Sequence, residues 1–245
     1  MRAGCFRADF YGKNRISPEM SLRASTDCGT IIKKEETKKE RNTGMRFLLT
    51  GFAPFGKSRI NPSYEAVRLL PDRLEDHEIV KAELPVVYGQ AAAHLLTLVK
   101  EIRPDCVLSV GQAAGRTGFS LESTAVNRRG ASAPDNAGNR YSGEVIEKGA
   151  PASLPAHLPL EELLAALQKS EIPANISPSA GTYVCNDLFY SLMRYIETEA
   201  PSLLGGFIHI PAIEAQAADF PVGTPTMPLT DIVRAIEIII TAIGN

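Results

Sequence analysis

Tryptophan is absent from this 245-residue chain, and histidine and cysteine are scarce, at four each. The cysteines, Cys5, Cys28, Cys106 and Cys185, show no CxxC spacing and no Cys/His ligand pattern. That argues against a disulfide framework and a metal centre, and it fits a reducing compartment. The cytoplasm is therefore the expected location, with no metal or cofactor required. No apolar run approaches the ~20 residues needed to cross a bilayer, so a membrane-spanning role is excluded. Net charge is also small: 26 Lys and Arg against 28 Asp and Glu leave a formal −2. The split is uneven, since residues 1–44 hold ten basic and six acidic side chains and the remainder 16 and 22. An acidic body is a poor electrostatic partner for nucleic acid, so none is expected.

With 44% hydrophobic residues, the chain can fill one good-sized core. Residues 1–44 do not take part in the pattern that would build it. They lack apolar periodicity and end in the charge run Lys33-Lys-Glu-Glu-Thr-Lys-Lys-Glu-Arg41. No signal-peptide core is visible, and interspersed acids argue against a transit peptide. The segment reads as a disordered extension, or as sequence preceding a functional start at Met45.

From residue 45 onward, strand and helix patterns alternate. Strands are expected at 46–50, 79–86, 106–110, 120–126, 174–177 and 206–210. Helices are expected from an Asn61 cap to 70, and at 88–102, 160–168, 186–198 and 231–243. Residues 127–157, rich in Gly, Pro, Asn and Asp, read as a long irregular connection. The alternation implies a single α/β domain, with a mostly parallel sheet covered by helices on both faces. Ligands bind beyond strand ends in such sheets, where Gly51–Gly56, Gly111–Gly118 and Cys185 all fall.

Cys185 lies in Gly181-Thr-Tyr-Val-Cys-Asn-Asp187, where the β-leaning 182–184 run feeds a helical pattern. A sulfur at such a junction meets unpaired N–H groups and the positive end of the helix dipole, which favour thiolate. A thiolate nucleophile needs a base and an orienting acid. His209 in Gly206-Phe-Ile-His-Ile-Pro211 and Glu122 in Phe119-Ser-Leu-Glu-Ser-Thr124 supply those types. Taken singly, each has a plain structural role: a small buried hydrophobe, a core histidine, a solvated acid. His77, His94 and His157 have no partner pattern and read as surface or helix-packing residues.

Five blocks in one order sharpen this reading. They are Phe47-Leu-Leu-Thr-Gly-Phe-Ala-Pro-Phe-Gly56 with Asn61-Pro-Ser63; Val110-Gly-Gln-Ala-Ala-Gly-Arg116; and Glu122 with Ala125-Val-Asn127 and Pro134-Asp-Asn136. Gly181-Thr-Tyr-Val-Cys185-Asn186 and Gly205-Gly-Phe-Ile-His-Ile-Pro211 complete the set. In these blocks the chain resembles the type I pyroglutamyl peptidases (pyrrolidone-carboxylate peptidases), cytosolic cysteine peptidases that remove an N-terminal 5-oxoproline. The resemblance implies Cys185 as nucleophile, His209 as general base and Glu122 as the carboxylate orienting the imidazole. It also implies an oxoproline pocket at Phe52, Phe55, Gln112, Asn61, Tyr183 and Val184. Small peptides with N-terminal pyroglutamate would be the substrates, and the assembly a homotetramer. Tyr183, where many members carry Phe, and Ala133, where a larger aliphatic is common, depart from the pattern and bear on ring packing.

The pocket makes chemical sense, because oxoproline is a flat, uncharged lactam with one N–H and one C=O. An apolar slot with an amide edge suits it. Three rival readings remain at this level. Gly111-Gln-Ala-Ala-Gly-Arg-Thr-Gly118 suggests a nucleotide loop, although it matches neither G-x-G-x-x-G nor the P-loop spacing. A phosphorylase-type activity, or a binder without turnover, could use a related sheet.

Overall fold

The computed structural model describes residues 44–245. The expectation of a disordered extension falls on residues 1–43, which lie outside the described residues, as do Cys5 and Cys28. In chain order the elements are β1 (Arg46–Phe52), α1 (Pro62–Leu69), β2 (Arg73–Leu74), β3 (His77–Leu84), α2 (Gln90–Ile102) and β4 (Cys106–Gln112). Then come β5 (Phe119–Glu122), β6 (Thr124–Val126), β7 (Arg129–Gly130), β8 (Ser142–Glu144), β9 (Ser153–Pro155), α3 (Leu160–Lys169) and β10 (Ala174–Ser177). The chain closes with α4 (Val184–Glu199), β11 (Leu204–Ile210), a 3-10 turn at Glu214–Asp219 and α5 (Leu229–Gly244).

Seven strands form the main sheet in the order β10-β5-β11-β4-β1-β3-β2. Four neighbouring pairs are parallel, and β5–β11 and β2–β3 are antiparallel, so the sheet is mixed but mostly parallel. Strand alternation divides the core in two. Phe47 and Leu49 of β1 face α1, α3 and α5, while Leu48 and Phe52 face α2 and α4. Burial on both faces explains why these strands read as continuous apolar runs rather than alternating ones. The result is the α/β/α layering that the alternation implied.

Several boundaries moved, each for a local reason. The 120–126 strand is broken at Ser123: β5 stays in the main sheet, whereas β6 leaves it to pair with β9. Ser123 N–H is drawn to Ser177 O at 2.8 Å, which ends the β11 ladder one residue earlier. The third strand stops at Leu84 because Pro85 has no N–H to continue the pairing. The 182–184 run is not a strand. Val184 begins α4, and the nearest preceding strand ends at Ser177. The 127–157 connection is less irregular than composition suggested, since β7 and β8 form a short ribbon within it. His77 is buried, where its Nδ1 accepts the Met45 N–H at 3.0 Å.

Asn61 behaves as the expected cap. Its Oδ1 accepts from Ser63 N–H at 3.1 Å and from the Ser63 hydroxyl at 2.8 Å, and its Nδ2 donates to Ala53 O at 3.0 Å. One buried carboxamide therefore starts α1 and closes the Gly51–Gly56 loop upon it. Asn61→Ala should lower stability by about 2 kcal/mol, the upper range for an N-cap because the loop contact is lost too. Denaturant titration should show a lower midpoint at unchanged slope.

Candidate active site

The sheet carries three side chains to one end and one face. His209 and Phe207 alternate along β11, with ring centroids 4.9 Å apart on the same side. In the parallel ladder His209 lies opposite Gly111 of β4, so a side chain at 111 would share its face. That space is occupied instead: a Cβ on Gly111 would stand 3.0 Å from Cys185 Sγ and 2.8 Å from Phe207 Cζ. Glycine is required here by close approach. The missing side chain lets the first turn of α4 bring the sulfur down beside the imidazole strand. No hydrogen bond joins Sγ to the His209 ring among the described residues.

Glu122 arrives from the other side of β11. Antiparallel pairing sets Phe207 opposite Glu122, diagonal to His209. His209 Nδ1 and Glu122 Oε1 are 2.7 Å apart, and Arg116 Nη1 donates to the same oxygen at 2.7 Å. Glu122 is fully buried, and its Oε2 has no hydrogen-bond partner. Burial opposes its ionisation, but the His209 ring, Ser177 and Arg116 outweigh that and hold the carboxyl below its ordinary value. An ionised Glu122 fixes the proton on Nδ1 and leaves Nε2 as the basic nitrogen.

The thiol does not behave as the helix-terminus argument expected. Burial, and then the Glu122 charge, push Cys185 up to about 12, against weaker lowering by its own backbone N–H and by Arg116. Burial also drives His209 below the ordinary imidazole value, although Glu122 resists. Both directions favour a thiol beside a neutral imidazole over a preformed ion pair. Desolvation outweighs what one helix end contributes, although Cys185 keeps part of its surface exposed.

The remaining candidates separate into groups. Phe55 and Tyr183 are half-buried rings 6.5 Å apart, and the Tyr183 hydroxyl donates to Pro134 O at 2.9 Å. Phe52 is only 2% exposed and packs toward Phe207 at 6.3 Å, making it a wall rather than an open face. Val184 is fully buried among core residues, so its side chain does not line an open cleft. Asn61 is largely engaged by its own loop, as described. Gln112, half-buried at the end of β4, bonds to Gln216 at 2.8 Å.

Sequence reasoning missed four supporting residues. Arg116 stands in a quoted block without a role, and the buried contact to Glu122 supplies one. Asn186, fully buried beside the cysteine, bridges Val126 and Arg128 backbone groups, each at 2.9 Å. Asp187 receives Gly89 N–H at 2.7 Å and Arg129 Nε at 2.6 Å. Gln216, the fourth, anchors Gln112. The sequence signal available was an Asn-Asp pair inside an otherwise apolar helix start. Among the described residues no group of three or more His, Cys, Asp or Glu side chains is gathered as a metal site would need. No helix among them is long and apolar enough to cross a membrane.

Comparison with known proteins gives a consistent result. Residues 45–245 match the family model described as Pyroglutamyl peptidase. Pyrrolidone-carboxylate peptidase 2 of Caldanaerobacter subterraneus subsp. tengcongensis is 44% identical over 200 residues, covering 81% of this chain and 96% of that protein. The pyrrolidone-carboxylate peptidase of Thermococcus onnurineus is 42% identical, covering 80% and 97%. Among solved structures, pyroglutamyl peptidase I from Bacillus amyloliquefaciens superposes with a TM-score of 0.79 at 40% identity, covering 82% and 95%.

A neutral thiol predicts how Cys185 reacts with iodoacetamide. Alkylation, followed at the level of the Cys185 peptide by mass spectrometry, should keep accelerating from about pH 6 to about pH 9, because only the thiolate reacts. A rate already level near pH 6 would instead reveal a preformed ion pair. Gly111→Ala should slow this labelling and lower the thermal midpoint, since the new methyl must displace Sγ or the Phe207 ring.

Proposed function

Because this chain belongs to the pyroglutamyl peptidase family, a family of peptide-bond hydrolases, we propose that it removes N-terminal 5-oxoproline from small peptides through Cys185, His209 and Glu122. One observation carries this reading. The buried His209–Glu122 pair leaves Nε2 on the sheet face where Gly111 admits the Cys185 sulfur.

Chemistry follows from the resting protonation states. As Sγ attacks the oxoprolyl carbonyl carbon, the thiol proton passes to His209 Nε2 and the carbonyl π pair moves to oxygen. Glu122 stabilises the imidazolium so formed through Nδ1–H. Among the described residues, Cys185 N–H has no carbonyl acceptor in the first turn of α4, and it is the natural donor to the oxyanion. Collapse of the tetrahedral species breaks the C–N bond, with the Nε2 proton transferred to the departing amine. Water, deprotonated by the same nitrogen, then hydrolyses the thioester and restores the thiol.

Specificity is read from the rings and amides around this centre. Phe55 and Tyr183 present faces to a flat lactam, Phe52 backs them, and Gln112 offers an amide edge. A proline ring, with its charged nitrogen, would leave those amides unpaired and should be rejected by several orders of magnitude. The peptidase domain comprises residues 45–245, and the protein acts in the cytoplasm as a homotetramer, without nucleic acid, membrane or cofactor. The phosphorylase reading gives Cys185, His209 and Glu122 no joint task. It also lacks a phosphate partner in the 111–118 segment, where the cation, Arg116, is tied to Glu122.

Hydrolysis of a fluorogenic oxoprolyl amide tests the proposal. Activity should disappear on alkylation and in Cys185→Ala, and be indifferent to chelator and to phosphate. Glu122→Gln should retain a trace, with kcat lower by about two to four orders of magnitude. The acid limb of the wild-type profile should lie below the titration of a free imidazole, because the His209 value is lowered and the base stays neutral to lower pH. Turnover by Cys185→Ala would refute the mechanism.

A further inference from the structure

One oxygen of Glu122 meets two donors, the His209 ring and the Arg116 guanidinium, each at 2.7 Å. The Arg116 side chain is 30% exposed, against 5% for His209 and 0% for Glu122, so it is the member of the group that reaches solvent. Backbone contacts fix its place. Ala113 N–H bonds Ile210 O at 2.9 Å, tying the loop after β4 to the strand of His209. Arg116 N–H then bonds Ala113 O at 3.2 Å, closing a turn through Gly115 at φ +95°, a conformation that other residues adopt only with strain. At the far end Gly118 packs so closely that a Cβ would stand 2.3 Å from Pro173 O. A loop held at both ends thus aims the guanidinium at Glu122.

The charge balance of this buried group depends on Arg116. With a neutral imidazole, the charges of Arg116 and Glu122 cancel. Protonation of His209 would leave one uncompensated positive charge out of water, which is costly. Without Arg116 the order reverses: Glu122 would leave a buried negative charge, and a proton on the ring would cancel it. The other groups around the ring do not change this balance. β5 brings Glu122, the β4–β5 loop Arg116, α4 the Cys185 thiol, and β4 only Gly111. Ser177 of β10, paired with Glu122, and Phe207 of β11 carry no charge. Burial is the larger force lowering the His209 value, and the Arg116 charge adds to it.

We infer that Arg116 is a positioning residue whose charge, held on the oxygen that orients His209, keeps the imidazole free to accept the thiol proton. This rests on the reading of His209 as the general base. A carboxylate alone would orient the ring and also trap a proton on it before substrate arrives. Glu122 then sets ring angle and tautomer, while Arg116 limits how tightly the pair holds a proton.

The test is the pH dependence of kcat/KM on a fluorogenic oxoprolyl amide, whose acid limb reports protonation of the His209–Glu122 pair in the free enzyme. Because both donors share one oxygen, guanidinium and ring stand within about 6 Å, where one charge moves another group's titration by about one to three units. Arg116→Gln keeps an N–H for Oε1 but loses the charge, and its limb should move up by about one unit. Activity below the limb should therefore fall about tenfold further than on the plateau. NMR of ring-labelled histidine should show His209 titrating at correspondingly higher pH, independently of turnover. Arg116→Lys, which keeps the charge, should hold the limb near its wild-type position. Arg116→Ala should regain that position with ethylguanidinium but not with ethylurea, which has the shape without the charge; this pair decides the matter if the glutamine variant does not fold. A lower plateau with an unmoved limb would mean a structural role alone and would overturn the inference, as would equal rescue by ethylurea. A wild type without turnover would refute the His209 reading itself. An active wild type, with His209 titrating unchanged in Arg116→Gln, would remove only the role of Arg116.

Discussion

A carboxylate without solvent exposure is expensive unless its charge is answered, and Glu122 is answered at one oxygen by both an imidazole and a guanidinium. Much of the local architecture follows from that need. The strand carrying Glu122 runs against its neighbour and is held there for only three paired residues before the chain turns away at Ser123. Antiparallel placement brings the carboxylate diagonally to His209, whereas a parallel crossover would have required a long connection to reach the same spot. Arg116 closes the end of the site from the loop between β4 and β5. The pair is therefore a constraint on topology as well as on protonation.

Close packing sets the second condition. Gly111 is the point where the sheet is thin enough for helix α4 to lay a sulfur against it. Helix and sheet are then tied by polar contacts that do not take part in the chemistry. Asn186 satisfies three backbone groups of the β6–β7 region, and Asp187 ties that region to the turn before α2. The residues flanking the cysteine thus fix its position against the strand that carries His209.

The loops over the cleft are organised in the same way. Asp135 accepts N–H groups from Tyr88, Ala137 and Asn139, and Asn136 reaches Pro54 O at 2.9 Å. The connection that composition marks as irregular is therefore pinned to the Gly51–Gly56 loop at Pro54 and to the segment before α2 at Val86 and Tyr88. Tyr88 stacks edge-on to both Tyr141 and Tyr183, and Arg129 lies over the Tyr141 ring at 5.4 Å. Ring packing extends from the cleft wall into the hairpin of β7 and β8, so the wall is stiff although it is built from loops.

How much of this was readable from the chain differs by element. The helices expected at 160–168 and 231–243 and the strand at 174–177 follow from periodicity, since each helix buries one face and the strand alternates at the sheet edge. The Asn61 cap, the family and the convergence of Cys185, His209 and Glu122 on one sheet face were legible because residue types recur in fixed order along short motifs. Strand direction, the break at Ser123 and the helical start at Val184 were not, because local pattern carries no information about which neighbour a strand will meet. By itself the sequence determined composition of the core, the order of elements and the family. Only the tertiary structure decided that the Cys185 sulfur lies against the sheet at Gly111, that Val184 faces inward and that Gln216 bonds Gln112. Protonation, burial and amide orientation depend on distances between segments remote along the chain, and those distances exist only once the layers have packed.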